Sequence, residues 1–428
     1  MDDGARLPLH RSSPDDEIRA VVGQWVAAHV PVEWRDAARR GRAAIREVRT
    51  RGAYEAWYPV FAASGLVVPT WPVAYGGLDL TAAQARAAES VLVPYNLGRL
   101  NPLGLNSAAP ALFAHGTEEQ RRRFLPPIVR DDERWCQLLS EPGAGSDLAS
   151  LATRAVRDGE EWRLSGQKVW TTWAHRSDFA ICLARTDPSV PKRRGLTFFL
   201  VDLHSPGVDV RPLRHLGGEI DFNEVFLDAV RVPDSQRVGP PGDGWRVVAA
   251  ALSGERQMVA GSGSGGVDRI GGSGVDALVA RARELRRGTD PRIRDRLARL
   301  YADERVRDWT NRRVRAAARA GTTPGPAASI GKVHQGELNQ RVQLLAVDLL
   351  GPAAVAWPAV DPGDDADRIG AWAASMPYET RGMLRSRANT IEGGTSEINR
   401  NVLGEQVLGL PREPDPFAGM PWEQVPRS

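Results

Sequence analysis

Three stretches of this 428-residue chain hold residues whose types and spacing could do chemistry. In the first, Leu139-Ser140-Glu141-Pro142-Gly143-Ala144-Gly145-Ser146-Asp147, an apolar run with Cys136 and Leu138 leads into a loop rich in glycine and hydroxyls. That is how a strand reads when it ends in a loop shaped to lie against a ligand. Gly143 and Gly145 carry no Cβ, so backbone amides can approach a flat or anionic group, and Ser140 and Ser146 can donate or accept. A plain surface turn is the competing reading. The second stretch is Lys168-Val169-Trp170-Thr171-Thr172-Trp173. On a regular strand Trp170 and Thr172 project to the same face, where the indole could stack on a ring and the hydroxyl could bond its edge; a core Trp beside a surface Thr is the plainer alternative. The third, Ile391-Glu392-Gly393-Gly394-Thr395-Ser396-Glu397-Ile398-Asn399-Arg400, is a loop running into a helix. A fourth pattern is rejected: Gly261, Gly263 and Gly266 satisfy the GxGxxG spacing, but no strand precedes them and no βαβ unit surrounds them.

Helices must carry the chain up to the first loop. Ile18, Val21, Val22, Trp25 and Val26 recur at helical spacing behind Asp15-Asp16, Ala82 to Leu92 is a second helix capped by Thr81, and a third opens at Gly116-Thr117 and is expected to stop near Pro126-Pro127. From about Trp135 the period becomes two. Leu164–Val169, Asp178–Ala184, Leu196–Val201, Val208–Val210 and Val225–Val232 read as short strands of a compact barrel or sandwich. Helical periodicity returns after Gly244, is interrupted by seven glycines between Gly261 and Gly274, and resumes through Leu278 to Trp309 and Ala328 to Leu350. The expected organisation is therefore α+β: an N-terminal helical domain (1–134), a middle β domain (135–240), a C-terminal helical bundle (241–412) and a mobile tail (413–428).

Composition restricts the class. No run approaches 18 apolar residues and the acidic N-terminus does not read as a signal peptide, so a soluble cytoplasmic protein is expected. Cys136 and Cys182 lie in strand-like surroundings without a CxxC or a His cluster, which predicts reduced, buried thiols and no metal site. Net charge is only +3, but residues 281–320 hold 14 Arg against 6 Asp and Glu, a face that could meet phosphates or nucleic acid, or simply be solvated.

Helices, then a β unit with SEPGAGSD and KVWTT, then helices ending in IEGGTSEINR: in this order the motifs resemble the acyl-CoA dehydrogenase family, from about Asp15 to Leu410. The resemblance implies FAD, with Gln137, Leu139 and Ser140 toward the pyrimidine side of the flavin, Gly145 and Ser146 at the edge shared with the acyl-CoA, Trp170 stacked on the ring, Thr172 bonded to N5, and Thr395 and Glu397 at the diphosphate and adenosine end. It implies α,β-dehydrogenation of an acyl thioester. A carboxylate takes the α-proton, the β-hydrogen leaves as hydride, and the backbone N–H at Gly393 holds the thioester oxygen.

Two departures stand out. Gly393 occupies the position where many members carry the base, and Glu392 falls one residue too early. Glu255, before Arg256, matches the alternative base position of the isovaleryl and long-chain members and is favoured over Glu392. Arg256 resembles an arginine kept near the thioester, and Ser253 stands where some members have an acidic CoA contact. At the far end of FAD, Leu285-Arg286-Arg287-Gly288-Thr289-Asp290-Pro291 and Asp348-Leu349-Leu350-Gly351-Pro352 replace the Arg-x-x-Phe-Gly and Gln-x-x-Gly-Gly stretches that clasp a neighbouring subunit's cofactor. Pro352 has no N–H to give an anion, and Asp348 would repel one. An α2β2 assembly with a related subunit is thus favoured over a homotetramer. The expected partners are an acyl-CoA or acyl-carrier thioester and an electron-transfer flavoprotein or similar acceptor. A non-catalytic or DNA-associated relative is the alternative class, supported by the arginine-rich segment alone.

Overall fold

The structure, a computed structural model, describes residues 5–259, 274–319, 326, 329–357 and 375–426. Its N-terminal part is built from α1 (Asp15–His29), α2 (Val32–Arg40), α3 (Arg42–Val48), α4 (Arg51–Ala63), α5 (Ala82–Leu92), α6 (Ala109–His115) and α7 (Glu118–Arg130). α1 opens on Asp15, Asp16 and Glu17, which suit the positive end of the helix dipole, and buries Ile18, Val22, Trp25 and Val26. Thr81 and Thr117 each close a capping box, with Gln84 and Gln120. α7 does not stop at Pro126-Pro127 as expected but runs on to Arg130. Two interior prolines cost a helix about 3 kcal/mol each; burial of Phe124, Leu125, Ile128 and Val129 against the first core offsets this.

The middle region holds β1 (Trp135–Leu138), β2 (Arg154–Asp158), β3 (Glu161–Thr172), β4 (Phe179–Arg185), β5 (Leu196–Asp202), β6 (Val208–Leu213), β7 (Phe222–Pro233) and β8 (Arg237–Val238). The strands form one mixed sheet in the order β6-β7-β3-β2-β4-β5-β8, with β1 parallel to β4. The sheet folds over on itself, so that Trp162 of β3 meets Phe199 of β5 at 5.5 Å between ring centroids. β4 shows why the strands read as continuous apolar runs: Phe179, Ile181 and Leu183 face the helices, while Ala180, Cys182 and Ala184 face the sheet's own interior. Cys136 and Cys182 are free and buried, and burial pushes their thiols up to about 12 and about 11.

The C-terminal part comprises α8 (Gly244–Val259), α9 (Val275–Glu284), α10 (Pro291–Arg319), α11 (Ser329–Leu350), α12 (Tyr378–Ser386) and α13 (Ser396–Val402). α9, α10 and α11 share a core of Leu278, Ile293, Leu300, Leu338 and Leu345, whereas α8 packs Val247, Val248 and Ala251 into the first core beside β5. The glycine-rich run before Gly274 and the Asp361–Asp364 loop lie outside the described residues. The tail corrects an expectation. It is exposed from Gln406 to Gly419 but ends on a buried Trp422 against the sheet, where an indole and three backbone contacts hold it. Among the described residues no helix is long and apolar enough to cross a membrane.

Candidate active site

The first loop is fixed from beneath by a buried ion pair. Lys168, fully buried on β3, donates from Nζ to Glu141 Oε1 at 2.8 Å, to Leu183 O at 2.9 Å and to Leu139 O at 3.1 Å. Glu141 also accepts from the N–H groups of Ala152 at 2.6 Å and Thr153 at 2.9 Å. Burial alone would raise the Glu141 carboxyl, but the Lys168 ammonium and these bonds outweigh it and hold the group below its ordinary range. Ser140 O accepts from Val169 N–H at 2.9 Å, and Glu141 and Ala144 exchange two backbone bonds of 3.0 Å around Pro142-Gly143. The loop between Leu139 and Ala144 is therefore welded to the strand that carries Trp170.

Gly143 and Gly145 are not required by the chain's own packing. Neither has a positive φ, and a Cβ on either would meet nothing within 4 Å. Both open onto free space beside the exposed Ser146, as a cradle for a flat or anionic group would. Gln137 reaches from β1 to Ser107 Oγ at 2.5 Å, and Ser107 sits in a π-helical turn, Gly104–Ala108, that packs against α8. Such turns concentrate at functional sites.

Trp170 and Thr172 sit at a bulge and not on the regular strand that their spacing suggests. The β3–β7 register slips between Lys168 and Thr171, so Val169 and Trp170 together oppose Glu224, and Trp170 takes a left-handed φ of 60°. Thr172 pairs directly with Phe222, and the Trp170 indole stands edge-on to the same Phe222 ring at 5.7 Å. Both side chains therefore flank Phe222. Trp170 is 57% exposed and Thr172 half-buried, which leaves an accessible aromatic face beside a hydroxyl.

The C-terminal loop closes on that face. Arg385 of α12 lies over the Phe222 ring at 5.9 Å and pairs with Glu392 at 2.9 Å, while Asn389 donates to Glu392 at 2.9 Å. Gly393 and Gly394 follow with φ of 63° and 86°, conformations that favour glycine. Thr395 caps α13 by accepting from Ile398 N–H at 3.1 Å, and Glu397 points outward in the first turn. Glu255 and Arg256 lie in the last turns of α8, and their side chains fall outside the described residues. His215, Glu219 and Asp221 gather beside Phe222; among the described residues they are the group close enough to share a cation, with His215 Nε2 3.5 Å from Glu219 and 3.8 Å from Asp221. The neighbouring His215 imidazole and the Trp173 indole N–H, which donates to Asp221 Oδ1 at 3.3 Å, hold the Asp221 carboxyl below its ordinary range. A groove of about 630 Å³ lined by His115, Arg123 and Asp234 contains none of these candidate residues.

At the far end the structure alters one argument. Asp348, expected to repel an anion, is paired with Arg296 at 2.5 Å, and Arg287 donates to Asp348 O and Leu349 O at the end of α11. Along α10, Arg299 pairs with Asp295 and Arg312 with Asp308, which places part of the basic excess in ion pairs on the helix surface. Sequence reasoning missed Ser107, Phe222, Arg385 and the role of the Glu141–Lys168 pair. A signal existed for the last: lysine occurs at three positions only, so one inside an apolar strand needs a partner.

Family models agree with this architecture in three consecutive blocks: "Acyl-CoA dehydrogenase, N-terminal domain" over residues 13–132, "middle domain" over 136–230 and "C-terminal domain" over 242–408. Acyl-CoA dehydrogenase IpdE1 of Mycobacterium tuberculosis is 38% identical over 411 residues, covering 93% of this chain and 98% of that protein. Acyl-CoA dehydrogenase FadE34 of the same organism is 38% identical over 354 residues, 82% of this chain but 45% of its own length. Among solved structures, the Tcur3481-Tcur3483 steroid ACAD superimposes with a TM-score of 0.68 at 28% identity, covering 94% of this chain and 99% of that one. The ChsE4-ChsE5 complex from Mycobacterium tuberculosis gives 0.65 at 27%, covering 94% and 100%. With matches running from residue 13 to residue 408, the chain belongs to the acyl-CoA dehydrogenase family, flavoprotein oxidoreductases that act on acyl-CoA.

Proposed function

We propose that this chain catalyses FAD-dependent α,β-dehydrogenation of a bulky acyl-CoA, with Glu255 as base. The observation that supports the reading best is Arg385, which ties the Glu392–Gly393 loop to Phe222 and so to Trp170 and Thr172. FAD, when bound, supplies the acceptor for the hydride that leaves Cβ. Trp170 and Thr172 offer a ring face and a hydroxyl to the flavin, Gln137, Leu139 and Ser140 line its pyrimidine side, and Gly145 and Ser146 meet the edge it shares with the thioester. Thr395 keeps a hydroxyl proton to give the diphosphate, and Glu397 can accept from ribose hydroxyls.

The base must take a weakly acidic α-proton, so the thioester oxygen needs a donor where negative charge develops; the Gly393 N–H fills that role and Arg256 adds positive charge nearby. Glu392 is the poorer base on geometric grounds, because Arg385 and Asn389 already occupy both of its oxygens. Once Glu255 holds the α-proton and the β-hydride has left, the product is the trans-enoyl thioester. Electrons then pass to an electron-transfer flavoprotein or similar acceptor.

A paired assembly with a related subunit remains the favoured quaternary reading. Two structural relatives are described as two-protein assemblies, one of them a steroid enzyme, and FadE34 has room in its length for a second unit. Pro352 still lacks an N–H, although the Arg296 pairing removes much of the repulsion assigned to Asp348. Purification alone and after co-expression with a related subunit, followed by flavin content per chain, tests this: stoichiometric active FAD in the lone chain defeats the paired reading. A panel of acyl-CoA and acyl-carrier thioesters decides the acyl group and its carrier.

A further inference from the structure

The tail ends on a contact that nothing in the proposed chemistry explains. After a run of exposed residues from Gln406 to Gly419, Trp422 is 8% exposed against the β sheet. Its indole N–H donates to Ser150 O at 3.2 Å, and the Arg185 guanidinium lies 4.1 Å from its ring centroid. Arg185 is itself buried and donates to Ala149 O at 2.7 Å, Leu151 O at 3.1 Å and Lys192 O at 3.1 Å. Backbone bonds from Trp422 to Val190 O and from Glu423 to Pro188 O, with a bridge between Pro421 and Pro191, add a second attachment. Lys192, in turn, pairs with Asp147 at 2.8 Å.

All of these contacts converge on residues 147–151 and 187–192. The first of these segments directly continues Gly145-Ser146, and Glu141 meets it from the other side through Ala152 and Thr153. The opposite end of the tail leaves α13, behind Gly393 and Thr395. A single polypeptide strap therefore joins the two loops of the candidate site, one by covalent continuity and the other by a buried tryptophan.

We infer that Trp422 is a positioning residue: it anchors the C-terminal strap so that the Gly145–Ser146 loop is held in the conformation that receives the thioester. The inference rests on the dehydrogenase reading for its consequence on turnover, but its structural part does not. Without the indole, Ser150 O loses its donor, Arg185 loses the ring over which its charge lies, and the 147–151 segment opens more often.

The test uses full-length flavin-loaded protein as wild type, Trp422→Ala and Trp422→Phe, with two readouts. Amide hydrogen exchange over peptides spanning 143–151 should accelerate about tenfold or more in Trp422→Ala and by less in Trp422→Phe, which keeps the ring over Arg185 and loses only the N–H. KM for the acyl-CoA should rise about tenfold in Trp422→Ala with kcat within about threefold, because the loop positions substrate and carries no proton. Unchanged exchange over 143–151 overturns the inference, as does an exchange change with no change in KM. If the wild type turns over no acyl thioester, the dehydrogenase reading fails while the exchange comparison still decides the strap. If Trp422→Ala does not fold, Trp422→Phe carries the test, and wild-type exchange in that variant counts against the anchor.

Discussion

Replacing Lys168 by Met removes the buried ammonium that pairs with Glu141 and leaves that carboxylate buried against the Ala152 and Thr153 N–H groups. The methionine fills most of the volume, so the loss is electrostatic: three bonds from Nζ, to Leu139 O, Leu183 O and Glu141, disappear together. Breaking a buried pair from one side costs about 3–5 kcal/mol. At about 2–4 °C per kcal/mol for a folding unit of this class, the melting temperature should fall by about 6–20 °C. The assay is urea and thermal unfolding followed by tryptophan fluorescence for Lys168→Met, Glu141→Gln and the double variant. The double variant should be more stable than Lys168→Met alone, since no charge is then stranded, and the cycle should show a coupling of about 1–3 kcal/mol. The pH dependence has a fixed sign. Glu141 titrates below its ordinary 4.5 in the folded chain, so its contribution is present above that pH and is lost as pH falls through the lowered value. Lys168→Met should flatten that acid limb. A destabilisation under about 1 kcal/mol, or strictly additive single effects, would refute the claim that this pair sets the loop.

Two further outcomes follow from the same geometry. Glu255→Gln should retain flavin and lower turnover by about three orders of magnitude or more, because an amide cannot take the α-proton, whereas Glu392→Gln should cost stability through Arg385 more than turnover; steady-state kinetics with thermal melts separate the two, and the reverse pattern makes Glu392 the base. Trp170→Ala should release flavin, read as a fall in the 450-nm to 280-nm absorbance ratio of the purified protein by about half or more, since one stacked aromatic is worth about 1–3 kcal/mol; an unchanged ratio removes Trp170 from the flavin wall.

The parts of the fold that sequence displayed were those where one local signal dominates. Thr81 and Thr117 announce helix starts because their hydroxyls cap orphan amides, and β4 reads as a strand because both of its faces are covered. β2 escaped notice because Ala155 is its one buried residue among exposed neighbours, and α7 was expected to be shorter because local proline chemistry predicts a stop that tertiary burial overrides. At the site, motif residues were legible as types, but their supports were not: Phe222 and Arg385 meet across more than 160 positions of sequence, and the bulge at Trp170 depends on pairing with β7. The three lysines illustrate the difference. Taken as composition they say nothing, yet in the structure Lys168 and Lys332 are buried donors to backbone carbonyls and Lys192 locks Asp147, positions where a compact ammonium fits better than a guanidinium fork.

The central claim, that this chain removes the α-proton and β-hydride of an acyl-CoA with Glu255 as base, is tested most directly by anaerobic mixing of the flavin-loaded protein, alone and with a co-expressed related subunit, with a panel of linear, alicyclic and sterol-derived acyl-CoA thioesters. The account predicts that at least one bulky thioester bleaches the oxidised-flavin absorbance in a single turnover and yields the enoyl thioester, and that Glu255→Gln binds the same compound without bleaching. Full bleaching by Glu255→Gln at the wild-type rate would contradict it, as would a wild-type flavin that no acyl thioester reduces in either preparation.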